Sequence, residues 1–138
     1  KESYAAYDSC LQYKNDNIYC MNNYAYYLSI NGGDLKKAEQ MSFKTVQAEP
    51  KNATYLDTYA WILFMQKRFT EAKIYVDQAI KNDTDSVLNS VILEHAGDIH
   101  AQLGDTKTAL YYWHKALKLG SGNTAILEKK IRLKKYIK

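Results

Sequence analysis

The segment from Ala53 to Ile80, ATYLDTYAWILFMQKRFTEAKIYVDQAI, decides the fold of this 138-residue chain. Its apolar residues recur at intervals of three and four on both sides of a polar break at Gln66–Arg68, which is the spacing of a helix face. They are Leu56, Tyr59, Ala60 and Leu63 before the break, and Phe69, Ala72, Val76, Ala79 and Ile80 after it. The pattern predicts two amphipathic helices joined by a tight turn.

Two small residues lie in the middle of these predicted helices, Ala60 in the first and Ala72 in the second. A small side chain lets two antiparallel backbones approach closely, so both alanines are expected at the helix contact. The alternation of small and large residues resembles the tetratricopeptide repeat (TPR), a helix–turn–helix unit of about 34 residues.

The same pattern recurs on both sides of the central segment. Ala38, Ala72 and Ala109 mark one repeat position in three successive copies, 34 and then 37 residues apart. The resemblance implies an all-α, right-handed solenoid of antiparallel helix pairs, with repeats at residues 18–52, 53–86 and 87–122. Residues 1–17 then form the second half of a further repeat, and 123–138 a capping helix, because a stack of repeats needs a terminal helix with one polar side.

Turn and capping residues refine the helix boundaries. Asp34 is expected to cap the second helix of the first repeat, and one extra residue near Gly32–Gly33 lengthens the turn before it. The insertion at 87–89 is expected to extend the first helix of the third repeat. The capping helix is expected to start after Asn123 and to turn an apolar stripe inward, made of Ile126, Leu127, Ile131, Leu133 and Ile137.

The formal net charge of +4 is a local feature of the C-terminal end. Residues 1–122 carry 13 basic and 14 acidic side chains, whereas residues 123–138 carry Glu128 and six cations: Lys129, Lys130, Arg132, Lys134, Lys135 and Lys138. We interpret this run as the solvated outer face of the capping helix. The alternative is a surface that attracts nucleic acid or an anionic membrane. Against it, the aromatic residues are not interleaved with the cations.

The sequence offers no catalytic motif, and we predict neither an enzyme nor a cofactor. It lacks a glycine-rich phosphate loop, a GxSxG motif, an HExxH motif and any run of 18 apolar residues. His100 and His114 lie on different predicted helices and could approach each other, but two such ligands rarely hold a metal. Glu94 and Asp98 share a helix face, where paired carboxylates are usually solvated.

Two cysteines, Cys10 and Cys20, cannot form a disulfide framework. Cys10 falls on the apolar face of its predicted helix, which favours a reduced, buried thiol. A bridge between Cys10 and Cys20 remains the alternative, and it requires that the two helix faces meet.

The TPR resemblance implies that the first helix of each repeat lines a concave groove that holds a peptide or a partner segment. The groove residues carried over from the repeat positions are Tyr19, Asn22, Asn23, Tyr26, Asp57, Thr58, Trp61, Phe64, Glu94, His95 and Asp98. Trp61 and Phe64 are interpreted as apolar anchors for a partner, or alternatively as contacts to the neighbouring repeat. The three acidic residues of the set favour ligands that carry Lys or Arg beside apolar side chains.

The resemblance thus predicts a protein-interaction module, an adaptor or scaffold without catalysis. Asn23 matches an asparagine of the chaperone-binding TPRs, but acidic residues stand at 57, 94 and 98 where that subclass needs cations. A regulatory domain of an enzyme that lies upstream is a further reading. The chain also resembles the C-terminal repeats of large bacterial TPR proteins, some of them outer-membrane lipoproteins that act as adaptors. This favours an envelope location, on the periplasmic side, over a cytoplasmic one. The half repeat at 1–17 is expected to continue N-terminally in further repeats.

Overall fold

The computed structural model describes residues 18–83, 90–120 and 124–137, which form seven α-helices and no strand. The helices are α1 Ile18–Ile30, α2 Leu35–Ala48, α3 Ala53–Met65, α4 Phe69–Asn82, α5 Ser90–Gln102, α6 Thr106–Lys118 and α7 Thr124–Leu133. The half repeat at 1–17 and the insertion at 87–89 lie outside the described residues. The boundaries of the repeats themselves therefore remain a prediction.

Neighbouring helices pack as the repeats require. Helices α1 and α2, α3 and α4, and α5 and α6 form pairs, and each pair also contacts the next one. The first helices of the pairs, α1, α3 and α5, contact one another in sequence and form what we call the first-helix layer. The predicted all-α solenoid of helix pairs is thus confirmed.

The three turns inside the pairs share one hydrogen-bonding pattern. The amide N–H groups of Gly33, Arg68 and Asp105 each donate to the carbonyl oxygen five residues earlier, at 2.9 Å in all three turns. A hydrogen bond of this kind forms at the end of a helix when the residue just before the donor adopts a left-handed conformation. That residue is Gly32, Lys67 or Gly104, with φ of 70°, 63° and 83°. The first turn is one residue longer than the others, as predicted.

Side chains cap the N-termini of α2, α3 and α6, whereas α4 has no side-chain cap. The Asp34 carboxylate accepts a hydrogen bond from the Lys37 amide at 3.1 Å, which confirms the predicted N-cap. Asn52 caps α3 through the Tyr55 amide at 3.1 Å, and Asp105 caps α6 through the Thr108 amide at 3.2 Å. Each cap satisfies an amide that the first turn of a helix leaves without a partner.

The small residues of the pattern lie where the helices of a pair meet. Ala60 and Ala72 have no exposed surface, and neither do Ala38 and Ala109. The largest core cluster lies between α3, α4 and α5 and contains Leu56, Leu63, Val76 and Ile99 among others. The central segment is therefore the centre of the core, as its pattern predicts.

Helices α5 and α6 approach each other closely at Gly97. A Cβ atom at this position would overlap the five-membered ring of Trp113, which is fully buried. We expect Gly97→Ala to destabilise the protein by about 1–3 kcal/mol through overpacking. At an exposed helix position the same change would stabilise by about 1 kcal/mol, so the sign of the effect in urea denaturation is decisive.

A Trp113→Phe background supplies the control for this expectation. Phenylalanine lacks the pyrrole ring that the added methyl group would meet, so Gly97→Ala should cost less in that background. A Gly97→Ala protein that is more stable than the wild type would show that the two helices do not approach this closely.

The C-terminal helix departs from its prediction. It ends at Leu133, because Lys134 adopts a left-handed conformation with φ of 57° and the Lys135 amide donates to the Lys130 carbonyl at 3.3 Å. Of the predicted apolar stripe, Leu127 is buried, Leu133 is 44% exposed, and Ile137 lies beyond the helix. The other buried residue of α7 is Lys130, which is only 2% exposed. The interpretation of the whole basic run as a solvated face is therefore wrong at this residue.

Cys20 does not carry a free thiol. It is buried in the first turn of α1 and disulfide-bonded; the sequence had left the state of this cysteine open. Cys10, the other cysteine of the chain, lies outside the described residues.

Candidate functional site

The predicted groove residues lie in the first-helix layer, but most of them are buried. On α1, Tyr19 is 68% exposed, Asn23 and Tyr26 are partly exposed, and Asn22 is buried. All four residues predicted on α3 are buried: Asp57, Thr58, Trp61 and Phe64. On α5, Glu94 is partly exposed, whereas His95 and Asp98 are buried. The centre of the predicted groove is thus a packed floor with a more open rim.

Trp61 forms the middle of that floor. Its ring stacks on His95 of the next repeat with centroids 4.0 Å apart, and on Phe64 at 4.5 Å. The interplanar angles are 16° and 15°, so the three rings form a nearly parallel stack. Trp61 is only 8% exposed. It makes the contact to the neighbouring repeat that the sequence analysis gave as the alternative.

A buried ion pair joins α3 to α5 beside this stack. The Nδ1–H group of His95 donates to both carboxylate oxygens of Asp57, at 2.9 and 3.0 Å. Burial by itself lowers the pKa of His95, but the charges of Asp57, Asp98 and Glu94 and the hydrogen bond to Asp57 outweigh it, so that the pKa is raised above 6.5. Asp57 therefore has a positive partner inside the protein.

The raised pKa of His95 makes the stability depend on pH. The folded state binds this proton more tightly than the unfolded state, so the stabilisation is complete below pH 6.5 and is lost as the pH rises through the raised pKa. We expect the free energy of unfolding to fall over that range. A histidine NMR titration should place the midpoint of His95 above 6.5. In Asp57→Asn the midpoint should move down; an unchanged midpoint would show that the pair does not hold the proton.

A second buried network joins α7 to α5. The Lys130 ammonium donates to Asp98 Oδ1 at 2.8 Å and to Glu94 Oε2 at 2.9 Å. The indole N–H of Trp113 donates to the same Asp98 oxygen at 3.0 Å. Burial raises the pKa of Asp98 to about 6 even though the Lys130 charge opposes it. For Lys130 itself, burial lowers the pKa but the two carboxylates outweigh it and raise it.

This network corrects the prediction for two residues. Glu94 and Asp98 do share a face of α5, as their spacing predicts, but Asp98 is 2% exposed and both carboxylates bind the same ammonium group. Sequence reasoning missed Lys130, whose partners lie 36 and 32 residues earlier in the chain. The available signal was its position three residues after Leu127, on the inward side of α7.

The C-terminal segment after α7 also reaches this layer. The ring of Tyr136 meets Phe64 edge to face, with centroids 5.1 Å apart, and the Lys130 ammonium lies 5.3 Å from the centre of the Tyr136 ring. The left-handed residue Lys134 turns the chain back in this direction. Tyr136 was not among the predicted site residues.

The remaining titratable residues do not form a metal site within the described part of the chain, where no group of three or more possible ligands occurs. His100 is buried and lies 3.3 Å from Asp77 Oδ1 through Nε2, whereas His114 is exposed on α6. Of the helices in the described ranges, none has the length and apolarity that crossing a bilayer requires.

Comparison with solved structures supports the fold. The N-terminal domain of stress-induced protein-1 (STI-1) from C. elegans is similar to this chain with a TM-score of 0.60 and 21% sequence identity. The similarity covers 83% of this chain and 96% of that domain. No protein-family model and no curated protein matches the sequence. At 21% identity this similarity shows the fold alone, a TPR-like helical solenoid.

Proposed function

We propose that this chain is a non-catalytic adaptor or scaffold that binds a peptide or partner segment across the first-helix layer, the concave groove of the TPR-like solenoid. The observation that carries the proposal is the aromatic floor of Trp61, Phe64 and His95, held rigid by stacking, with the partly exposed Tyr26 ring 6.3 Å from His95. Rigid aromatic surfaces with a polar rim are typical of binding sites.

The proposed partner carries apolar side chains next to basic ones. Glu94 is the acidic residue of the site with the most accessible carboxylate: its side chain is 19% exposed, and Oε2 accepts a hydrogen bond from Lys130. A Lys or Arg of a partner can approach this exposed part of the side chain. Asp57 and Asp98 are buried and bonded to His95 and Lys130, so their charges are largely balanced inside the protein and the proposal depends on Glu94.

A clamp for a C-terminal carboxylate, as in the chaperone-binding TPRs, is not part of the proposal. Asn23 is partly exposed on α1, but the positions where cations would be needed hold buried or half-buried carboxylates. A negative ligand group would meet Glu94 and would be repelled.

Two exposed tyrosines allow a matched test. Tyr19 lies in the first-helix layer and is 68% exposed. Tyr111 lies on α6, the second helix of its pair, and is 57% exposed. In a quantitative pull-down from native extract, Tyr19→Ala should weaken capture of the same partner about tenfold or more, whereas Tyr111→Ala should leave it unchanged. Neither change should alter the melting temperature. Equal capture by Tyr19→Ala, or loss in Tyr111→Ala alone, would place the interaction elsewhere.

A second candidate function rests on the exposed cations of the C-terminal region. Lys129, Arg132, Lys134 and Lys135 are exposed, although Lys130 is not. Binding of nucleic acid or anionic vesicles through them would weaken steeply with salt and would be lost in Lys129→Glu/Arg132→Glu. The bacterial origin and the envelope location are further parts of the proposal, and fractionation of the source cells tests them.

A further inference from the structure

A cavity lies at one end of the first-helix layer, where α3 turns into α4. Its volume is about 160 Å³. The lining comes from the end of α3, the turn, the start of α4, the end of α5 and the C-terminal segment, and consists of Phe64, Met65, Lys67, Phe69, Gln102 and Tyr136. None of the interactions described above uses this space.

The walls of the cavity are aromatic. Phe64 is buried at 4% exposure and lies 5.3 Å from Phe69 at an angle of 58°, and 5.1 Å from Tyr136 at 84°. Rings prefer tilted and edge-to-face contacts at these separations, so the three walls present faces and edges to a further ring. Met65 adds a polarizable sulfur, which also contacts aromatic groups favourably.

The size of the cavity decides what fits. An apolar cavity of about 150 Å³ accommodates benzene. The present volume of about 160 Å³ therefore takes one six-membered ring and is too small for a folded segment or a nucleotide. The ligand group is a single aromatic side chain.

The charge at the rim of the cavity indicates which group of the ligand lies beside its ring. Among the lining residues that the structure describes, Lys67 is the charged one, and it is exposed. Its left-handed backbone is held by hydrogen bonds from its own amide to the Phe64 carbonyl at 2.8 Å and from the Arg68 amide to the Leu63 carbonyl at 2.9 Å. Arg68, next along the chain, is already bonded to Glu39 and Glu71. No ion pair with another described residue involves Lys67, so the rim offers a positive charge at a fixed backbone position.

We propose that this cavity is a binding site for an aromatic side chain of a partner protein whose adjacent carboxylate lies against Lys67. The inference rests on the proposed function, because the ring belongs to a partner held on the first-helix layer. It adds to that function a defined end of the site and a requirement for an acidic group at this end, opposite in sign to the group expected at Glu94.

Two small probes test the cavity without a partner. N-acetyl-phenylalanine carries the ring and a carboxylate, and N-acetyl-phenylalanine amide carries the ring alone. For a ligand with about 15 heavy atoms a dissociation constant on the order of 1 mM is expected. NMR of the full chain should show shifts at the Met65 methyl group and the Phe64 and Phe69 rings. The acid should bind roughly 2–5-fold more tightly than the amide.

Three variants test the cavity and the charge of Lys67 separately. Lys67→Gly suits the left-handed backbone and should remove the preference for the acid without loss of stability. Gln102→Trp fills the cavity from an exposed position and should weaken both probes at least tenfold, whereas Gln47→Trp, on the exposed side of α2, should change neither. An absence of shifts at Met65, or equal binding to Gln102→Trp, overturns the site; an acid preference that survives Lys67→Gly overturns the role of Lys67. Because the probes need no partner, these outcomes are independent of the Tyr19 test.

Discussion

Trp61→Ala is expected to destabilise the protein by about 3–5 kcal/mol, the usual cost of removing a buried tryptophan. Its ring is 8% exposed and lies between His95 at 4.0 Å and Phe64 at 4.5 Å. Truncation leaves a gap in the stack that joins two repeats, because neither neighbour can move without breaking its own contacts. Urea denaturation followed by circular dichroism measures the loss.

A conservative variant and a second probe make this expectation specific. Trp61→Phe keeps a ring against His95 and should cost clearly less. In Trp61→Ala the titration of His95 should also change, because the ring that shields the Asp57 pair is gone. The opposite result is that the melting temperature of Trp61→Ala stays at the wild-type value while partner capture falls. Trp61 would then be an exposed binding residue of the groove, and its stacking between repeats would not stabilise the fold.

The sequence predicts the helix pairs because the signals for them are local. The apolar period, the caps at Asp34 and Asp105 and the turn glycines each act within one helix or one turn. The central turn shows how far such signals extend. Lys67 takes the conformation that Gly32 and Gly104 take in the other turns, and the break in the apolar pattern predicted that turn without a glycine.

The candidate site was less predictable because its burial depends on distant residues. A repeat position says which way Trp61 or Asp98 points, but not what the next repeat places in front of it. His95 lies 38 residues after Asp57, and Lys130 lies 32 residues after Asp98. A charged residue in a basic run gives no local sign that it is the one turned inward.

The end of α7 was misjudged for a related reason. The apolar residues continue at helical intervals to Ile137, yet the helix ends at Leu133 with Lys134 in a left-handed conformation. Lysine is not a residue that marks such an end. The contact between Tyr136 and Phe64 joins distant parts of the chain and stabilises the change of direction after α7. The local apolar pattern gives no sign of this contact.

Lys130→Met is expected to be as damaging as the loss of Trp61. It removes the ammonium group that Asp98 and Glu94 share and leaves Asp98 buried with the Trp113 indole as its remaining donor in the network. Breaking a buried pair from one side costs about 3–5 kcal/mol, because the other charge stays in a poorly solvated place. Lys129→Met, one residue away and exposed, should change the stability by less than about 0.5 kcal/mol.

The pH dependence of this loss identifies its cause. The pKa of Asp98 is already raised from 3.8 to about 6, so in the wild type its share of stability is present at low pH and is lost as the pH rises through 6. Without the Lys130 charge the pKa of Asp98 rises further, and the loss extends to higher pH. The difference between Lys130→Met and the wild type should therefore be small near pH 5 and large near pH 8 in parallel urea titrations. A difference that is the same at both pH values would mean that Lys130 stabilises α7 by packing of its alkyl chain and not through its charge.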